Sequence, residues 1–405
     1  MRPTLTNRWF FAWLLLLLAP GCGEENGGTK PTPLPVPRTW RVPADAPTIQ
    51  AGVNLASPGD TVLVSAGTYL DCTQLDLAGN PCCIIMKSGV CLRGDTADPA
   101  EVVVDARSAG RVIYCNGVDS TASIEGLTLR GGSMPGDKDT PGENFGGGMY
   151  CYESSVRITD CAVSDNVSAV GGGMYCVSSS PILTGCRFSG NTAYETGGGG
   201  GIACISSSPV LVDCLFFDNH AFVGGGMHVS GSSAPTLSHC SFLDNRADYA
   251  CGIYCVESSM DLSYSTFCGN GGAECGGGAL FGLCSPNLSH CTFVGNSAED
   301  GGAMYFDAGS ATITTTIIAF NHGGCPIHCE DEASIPSLTC CDLYDNDGGD
   351  WAGYIAEQRH GYGNISQDPL FCDADNRDFH LRSDSPCSPN IICDLIGAWE
   401  VSCPD

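Results

Sequence analysis

The sequence predicts an all-β fold, a parallel β-helix in which each coil adds one turn to a solenoid. Three observations support this prediction: a unit of about 25 residues repeats from about Gly146 to Asn346, each unit holds an asparagine, and most units contain a glycine turn. Successive asparagines are 25, 28, 26, 25, 26, 25 and 25 residues apart. They are Asn166, Asn191, Asn219, Asn245, Asn270, Asn296, Asn321 and Asn346.

Each unit also carries apolar residues at fixed distances before its asparagine. In the unit from Gly171 to Ala193, Leu183, Cys186 and Phe188 occupy these positions. The alternation around Tyr175 is typical of a short strand with one face buried. We therefore expect the apolar and cysteine columns to fill the interior, and the asparagines to hydrogen-bond along the stack.

A leucine-rich repeat has a similar period and also stacks asparagines, so it is the alternative fold. That fold needs a helical return with further leucines after the asparagine. Here the returns are rich in Gly, Ser and Pro, as at Gly197 to Gly201 and Ser178 to Pro181. These residues disfavour helix and favour turns, so the parallel β-helix is the better prediction.

Residues 1–22 predict an export signal. Arg2 and Arg8 precede an apolar run of eleven residues, from Trp9 to Ala19, which is too short to span a bilayer of about 30 Å. Cys22 ends a segment that is similar to a bacterial lipobox, so Cys22 is the predicted lipidation site. Ordinary cleavage and release is the alternative.

The remaining chain divides by composition. Residues 23–38 are rich in Gly and Pro and predict a flexible tether. Residues 39–350 are the predicted β-helix, with an N-terminal cap at 39–70 and regular repeats at 146–346. Pro47 before an amphipathic run predicts a short capping helix. Residues 351–405 depart from the repeat and are the predicted C-terminal cap.

The composition fits an exported, acidic protein. Removing residues 1–22 leaves 15 basic and 45 acidic residues, a net charge of −30, which argues against nucleic acid as a partner. The chain has 27 cysteines, which predict disulfides in a secreted protein. Within a coil, pairs such as Cys151 with Cys161 allow either cross-core disulfides or packed free thiols.

Two segments resemble known families. The segment VPADAPTIQAGVNLASPGDTVLVSAGTY at 42–69 resembles the N-terminal cap of pectate-lyase-like right-handed β-helix proteins. The FxxN pattern of Phe188 to Asn191, followed by GGGIAC, is similar to the polymorphic outer-membrane protein repeat of bacterial surface proteins. The resemblance implies a right-handed coil over about 350 residues, and a surface lipoprotein at the cell outer membrane. It does not fix an activity, because the fold hosts lyases, hydrolases, epimerases and adhesins.

The closing segment carries a further resemblance. Its DPLF and DFHL strands resemble the end of bacterial extracellular β-helix proteins. We expect disulfides to hold this C-terminal cap. The cysteines available are Cys372, Cys387, Cys393 and Cys403.

An aromatic stripe is the predicted binding surface. Alternation places one residue of each glycine-led strand on the outer face, namely Tyr150, Tyr175, Ala203, His228, Tyr254, Leu280, Tyr305 and His328. Rings at a regular rise can stack on sugars or dock a protein partner. The predicted ligand-binding residues are Tyr150, Tyr175, His228, Tyr254 and Tyr305.

A second stripe precedes the cysteine column. It consists of Asp213, His239, Tyr264 and His290. For both stripes the alternative is that these side chains only pack against their neighbours above and below.

A polysaccharide lyase or glycoside hydrolase is the alternative function. A lyase needs a basic side chain, and the repeats from Gly146 to Asn346 contain only arginines at unmatched positions, with no lysine. The N-terminal coils offer Arg93, Arg107, Arg111, Arg130 and Lys138, which would have to converge near acids. A hydrolase needs paired carboxylates, and Asp160 and Asp213 are two coils apart.

The sequence predicts no metal site and no cofactor. The zinc ligands by residue type are Cys325, His328, Cys329, Cys340 and Cys341, but the repeat already explains Cys329 and Cys341. Two acidic turns leave calcium open without completing an EF-hand loop. They are Asp345, Asp347 and Asp350, and Asp373, Asp375 and Asp378.

The leading functional hypothesis is a surface-tethered, non-catalytic β-helix. It would bind a glycan or a cell-surface protein, as an adhesin or coat component, and reach the membrane by its lipid anchor only. A lyase or hydrolase acting on an acidic polysaccharide, and a purely structural spacer, are the two alternatives.

Overall fold

The computed structural model describes residues 36–134, 144–194 and 196–403. The chain divides into two units, Met1–Val36 and Pro37–Asp405. The predicted export signal, Cys22 and most of the predicted tether lie outside the described residues, as does Lys138. Within the described part of the chain, no helix has the length and apolar character needed to cross a membrane.

The second unit is a right-handed parallel β-helix, which confirms the predicted fold class. Each regular coil passes through four parallel sheets, here called sheet 1 to sheet 4 in chain order. Sheet 1 consists of Thr39–Val42, Thr61–Val64, Cys91–Gly94, Ser123–Glu125, Arg157–Thr159, Ile182–Thr184, Val210–Val212, Thr236–Ser238, Asp261–Ser263, Asn287–Ser289, Thr312–Thr314 and Ser337–Thr339. Sheet 2 consists of Gly67–Tyr69, Val102–Asp105, Thr128–Arg130, Ala162–Ser164, Arg187–Ser189, Leu215–Phe217, Ser241–Leu243, Thr266–Cys268, Thr292–Val294, Ile317–Ala319 and Asp342–Tyr344.

The other two sheets complete the coil. Sheet 3 consists of Ser133–Met134, Val167–Ser168, Thr192–Ala193, His220–Val223, Arg246–Tyr249, Gly271–Cys275, Ser297–Asp300 and His322–Gly323. Sheet 4 consists of Gln74–Leu75, Pro81–Ile85, Arg111–Asn116, Met149–Tyr152, Met174–Val177, Ile202–Ile205, Met227–Ser230, Ile253–Val256, Ala279–Gly282, Met304–Asp307 and Ile327–Cys329. Gln74–Leu75 pairs antiparallel with its neighbour, whereas the other pairings in these sheets are parallel.

The predicted columns are in register and fill the core. Leu183 pairs with Leu211, and Phe188 with Phe216, and the same positions are buried in the neighbouring coils. The phenylalanine rings stack at 4.5 to 5.2 Å between centroids. Burying one such side chain contributes about 1.5–3 kcal/mol relative to leaving it in water. These columns therefore supply much of the free energy that stabilises the β-helix.

The asparagine column is a buried hydrogen-bond ladder, as predicted. The Nδ2 of Asn245 donates to the Oδ1 of Asn270 at 2.9 Å and to the carbonyl oxygen of Phe216 at 3.0 Å. The Oδ1 of Asn245 accepts from the backbone N–H of Asn219 at 3.1 Å. The ladder therefore satisfies the backbone where the chain bends between sheets 2 and 3.

A short helix, Ile49–Leu55, lies within the predicted N-terminal cap. Thr48 caps it, because the Thr48 Oγ1 accepts from the Ala51 N–H at 3.1 Å. Its buried residues pack on the first strands of the solenoid. Four 3₁₀ segments also occur in the described residues, at Pro99–Glu101, Glu332–Ser334, Gly353–His360 and Ala374–Asn376.

Three disulfides form among the described residues, and two of them hold the C-terminal region. They are Cys72–Cys83, Cys340–Cys393 and Cys372–Cys403. Cys387 is not bridged, and its Sγ donates to Asp342 Oδ2 at 3.2 Å. Cys151 and Cys161 are buried free thiols, so the columns carry packed thiols and not cross-core disulfides.

The C-terminal segment folds back along the side of the coils. Its strands Phe371–Asp373 and Asp378–Leu381 form an antiparallel pair. Phe379 packs against Cys268 and Val294 on the outer face of sheet 2. The C-terminal cap therefore forms a wall beside the central coils.

Candidate functional site

The corner between sheets 1 and 2 has one residue per coil in the left-handed backbone region. Its φ values lie between 46° and 63° in the regular coils. The residues are Asp160, Gly185, Asp213, His239, Tyr264, His290, Thr315 and Cys340. Gly and Asp tolerate this conformation, whereas it costs a bulky residue such as Tyr264 about 1–2 kcal/mol.

Three rings stack at this corner. The His239 and Tyr264 centroids are 5.0 Å apart with an interplanar angle of 5°, and those of Tyr264 and His290 are 4.6 Å apart at 14°. His239 and Tyr264 are exposed, and His290 is half-buried. We call these residues the corner stack. Its rings carry polar edges, the Tyr264 hydroxyl and the imidazole nitrogens, next to apolar ring surface.

The C-terminal cap supplies the facing wall through hydrogen bonds to side chains of sheet 2. The Trp399 indole Nε1 donates to Thr266 Oγ1 at 2.8 Å, and the Ala398 N–H donates to Thr292 Oγ1 at 3.0 Å. Both threonines are buried, so these bonds are shielded from water. They hold Trp399 at a fixed place beside the corner stack.

Further contacts fix the orientation of this wall. Arg377 Nη2 donates to Asp244 Oδ1 at 2.7 Å, which ties the cap to a neighbouring coil. The rings of His380 and Trp399 meet edge to face, with centroids 5.0 Å apart at 63°. His380 Nδ1 lies 2.6 Å from Asp378 Oδ1.

An open groove of about 490 Å³ lies between the corner stack and the C-terminal cap. We call it the cap groove. It is lined by His239, Ser241, Tyr264, His290, His380, Asp394, Leu395, Ala398, Trp399 and Glu400. Among these residues there is no lysine or arginine, and the two carboxylates are exposed. Burial lowers the pKa of His290, and Asp394 partly opposes this shift, so the imidazole is mainly neutral at pH 7.

The groove joins a predicted stripe to residues that the sequence did not place there. His239, Tyr264 and His290 belong to the second predicted stripe. Asp213 continues the corner column but does not line the groove. Trp399 and His380 were missed, because the repeat says nothing about the path of the cap. Their only sequence signal is an indole and an imidazole in a disulfide-rich tail.

The first predicted stripe lies on sheet 4 but is not continuously exposed. Tyr150 and Tyr254 are half-buried, whereas only 9% of Tyr175 is exposed. Tyr175 is covered because Phe145 stacks on its ring at 4.7 Å, and burial raises its pKa to about 12. The expectation that Tyr175 lies open to a ligand is therefore wrong.

His228 and the non-aromatic members of this stripe also differ from expectation. The Nδ1 of His228 is buried without a hydrogen-bond partner among the described residues, and burial lowers the pKa of this imidazole to about 4. Ala203 is fully buried and Leu280 is 8% exposed. Tyr305 donates its hydroxyl to Glu330 and stacks on His328.

The described arginines of the N-terminal coils lie on different sheets and do not form one site. Arg93, Arg111 and Arg130 lie in sheets 1, 4 and 2, respectively. Arg111 is buried in an ion pair with Asp76. Arg130 pairs with Asp105 at 3.0 Å, and the backbone N–H of Arg107 donates to the same carboxylate.

The arginines of the repeats are dispersed as well. Arg157, Arg187 and Arg246 lie in sheets 1, 2 and 3. The guanidinium of Arg187 lies over the Phe217 ring, 5.3 Å from its centroid. The three arginines of the repeats therefore do not form one basic surface.

Three of the residues considered as metal ligands have other partners. Cys340 forms a disulfide with Cys393. Asp350 Oδ1 accepts from Asn346, and Asp347 Oδ2 accepts from the Gly323 N–H at 3.2 Å. No cluster of three or more His, Cys, Asp or Glu side chains suited to a metal occurs in the described ranges.

Comparisons with known proteins agree with the fold. A family model described as a right handed beta helix region matches residues 111–293. The chain is similar to the crystal structure of pectate lyase Pel9A, with a TM-score of 0.50 and 12% identity over 91% of this chain and 98% of that one. No curated protein matches this sequence.

Other similar structures are more distant. The PL6 family alginate lyase AlyGC has a TM-score of 0.42 and 11% identity, over 91% of this chain and 59% of that one. The catalytic unit of the GH87 α-1,3-glucanase from Streptomyces thermodiastaticus strain HF3-3 has a TM-score of 0.41 and 13% identity, over 75% and 60%. At such identities the likeness to Pel9A shows the fold and leaves the activity of this chain open.

Proposed function

We propose that this protein is an exported, non-catalytic β-helix that binds a neutral glycan in the cap groove. The observation that carries the proposal is the corner stack of His239, Tyr264 and His290, which faces Trp399. Three of the five other coils fill the same left-handed corner with Asp or Gly, at lower conformational cost, and the remaining two carry Thr315 and Cys340. Bulky residues in strained positions cluster at binding sites, where the surrounding structure pays for the strain.

The chemistry of the groove matches a sugar ligand. Sugars present apolar C–H faces and polar hydroxyl edges, and aromatic side chains with polar tips suit both. Trp399 and the corner stack offer ring surface, while Asp394 and Glu400 offer acceptors for hydroxyl groups. A volume of about 490 Å³ is within the usual range for ligand sites.

The charge of the groove favours a neutral glycan over a polyuronate. Its described lining holds two carboxylates without any lysine or arginine. The whole chain has a formal net charge of −28, so an anionic polymer meets repulsion at long and short range. The negative charge therefore disfavours an acidic polysaccharide as the ligand.

Glycoside hydrolysis is the second candidate, because it also uses two carboxylates and this groove contains Asp394 and Glu400. A general acid of this kind needs burial to keep its proton near neutral pH. Both side chains are exposed, which favours binding over hydrolysis.

Export and surface tethering belong to the same proposal. The disulfides Cys340–Cys393 and Cys372–Cys403 are typical of proteins in oxidising compartments. Lipidation at Cys22 would hold the β-helix at the membrane surface, with the Gly- and Pro-rich segment as its tether.

A panel of oligosaccharides tests the proposal. The purified protein is titrated calorimetrically with cello-, xylo-, manno- and chito-hexaose, and with oligomers of polygalacturonate and alginate. The same samples are assayed for new reducing and unsaturated ends. We expect binding of at least one neutral oligosaccharide without product, and the same affinity in a Tyr150→Ser control on sheet 4.

Other outcomes would overturn the proposal in distinct ways. New reducing ends would establish a hydrolase, and unsaturated ends a lyase. Preference for the acidic oligomers would contradict the charge argument. Absence of binding throughout would favour the protein partner or the structural spacer.

A further inference from the structure

A second pocket opens on another face of the coils, at the place where the sheet 4 stripe is interrupted. It has a volume of about 300 Å³, at the lower end of ligand sites. Its lining residues are Phe222, Val223, Tyr249, Tyr254, Val256, Leu280, Gly282, Leu283, Tyr305 and Asp307. We call it the Leu280 notch.

The notch exists because one coil has small side chains between two coils with large ones. Leu280 pairs in register with Tyr254 on one side and Tyr305 on the other. In the next outward row, Gly282 lies between Val256 and Asp307. The missing bulk at Gly282 leaves an opening one coil wide.

The two tyrosines flank this opening. Tyr254 meets His228 on its other side, with ring centroids 5.5 Å apart, and Tyr305 stacks on His328 at 4.8 Å. Because strands are about 4.8 Å apart, the two tyrosine positions are separated by about 9.6 Å. A group lying on the Leu280 side chain, between the two rings, would be about 5 Å from each ring, within the range of a cation–π contact.

A third aromatic wall comes from sheet 3. Phe222 and Tyr249 meet edge to face, with centroids 5.5 Å apart at 70°. Leu280, which is 8% exposed, forms an apolar floor, and Leu283 at the mouth is 60% exposed. The lining is therefore mostly apolar and aromatic, with a single carboxylate.

That carboxylate decides the charge of the ligand. Asp307 is exposed at the edge of the notch, and no lysine, arginine or histidine occurs among its described lining residues. Burial and, secondarily, Asp307 raise the pKa of Tyr254, which places this negative charge near the tyrosine. Aromatic faces together with a carboxylate attract a cation and repel an anion.

From this arrangement we infer that the Leu280 notch is an aromatic cage for a small organic ammonium group, such as a quaternary ammonium head. Such an ion spreads its charge over methyl groups, so it needs ring faces more than hydrogen-bond acceptors. The site is separate from the cap groove and goes beyond glycan binding.

The test compares choline with its neutral isostere, 3,3-dimethylbutan-1-ol, by calorimetric titration of the whole protein. We expect choline to bind and the isostere to bind at least about tenfold more weakly, because only choline gains the cation–π and carboxylate terms. Asp307→Asn should weaken choline binding by about three- to tenfold.

Leu280→Tyr is the decisive variant. Tyrosine already occupies the equivalent position in neighbouring coils, so the fold should accept it while the new ring closes the notch. Choline binding should then be lost, and a Tyr150→Leu control should retain it. Equal binding of the isostere, choline binding that survives Leu280→Tyr, or no choline binding by the wild type would each overturn the inference.

Discussion

Two columns of residues run through the coils and have different roles. The asparagines from Asn166 to Asn346 are the same in every regular coil and are buried in a continuous ladder. The corner residues from Asp160 to Cys340 share one backbone conformation but change identity from coil to coil. The asparagines, which recur in every regular coil, stabilise the fold. The bulky rings occur only at His239, Tyr264 and His290 of the corner column, which indicates a binding site.

The largest expected effect concerns the wall of the cap groove. Replacing both Cys340 and Cys393 by alanine removes a bridge across 53 residues and should cost about 4 kcal/mol of unfolding free energy. Because this bridge joins the C-terminal cap to the coils, we also expect weaker glycan binding. Denaturant unfolding and calorimetry measure the two effects.

A matched control exists at the other end of the solenoid. Removing Cys72–Cys83, which spans 11 residues, should cost about 3 kcal/mol and leave the cap groove unchanged. Equal loss of glycan binding in both variants would show that the cap is not specifically required.

A substitution in the asparagine ladder should lower the stability of the protein without changing its affinity for the glycan. Asn245→Ala leaves the N–H of Asn219 and the carbonyl of Phe216 without their partners. We expect a loss of about 3 kcal/mol in the free energy of unfolding, with unchanged affinity in the folded fraction. A variant as stable as wild type would refute the structural role of the column.

A third prediction concerns the effect of pH on stability. Burial lowers the pKa of His228 to about 4. An unfolded histidine has a pKa near 6.5, so below that pH the unfolded state binds the proton first. The stability conferred by the neutral ring is therefore lost as the pH falls from about 6.5 to about 4, by at most about 3 kcal/mol.

The His228→Leu variant isolates this contribution. The wild type should lose stability relative to this variant as the pH is lowered, as measured by denaturant unfolding at several pH values. Asp342 has the opposite effect on stability. Burial raises its pKa from 3.8 to about 6, so the folded protein loses stability as the pH rises between these two values. Parallel curves for wild type and His228→Leu would contradict the prediction.

The smallest stability effect is expected at Tyr264. Tyr264→Gly relieves a strained left-handed residue but loses two ring contacts. These terms offset each other, so the free energy of unfolding should stay within about 1 kcal/mol of wild type. A loss comparable to that of Asn245→Ala would place Tyr264 with the structural column.

The sequence predicted the repeated part of the molecule because its information is local and recurs. The spacing of Asn166 to Asn346 defined the register, and the structure confirms it. It could not predict that Phe145 covers Tyr175, since Phe145 lies just before the first regular repeat, which begins at Gly146.

The site was predictable only in part for the same reason. His239, Tyr264 and His290 could be aligned as a stripe, because each occupies the same position in its coil. Trp399 reaches Thr266 across 133 residues, and no period relates the cap to the coils. The groove therefore becomes visible only when the tail is placed in three dimensions.

The most direct test of the central claim is a calorimetric titration of Tyr264→Gly with whichever neutral oligosaccharide the wild type binds. Thermal unfolding of the same sample shows whether the fold is intact. If the corner stack is the binding surface, affinity should fall by at least about tenfold while the melting temperature changes little. Unchanged affinity in the folded Tyr264→Gly protein would contradict the account.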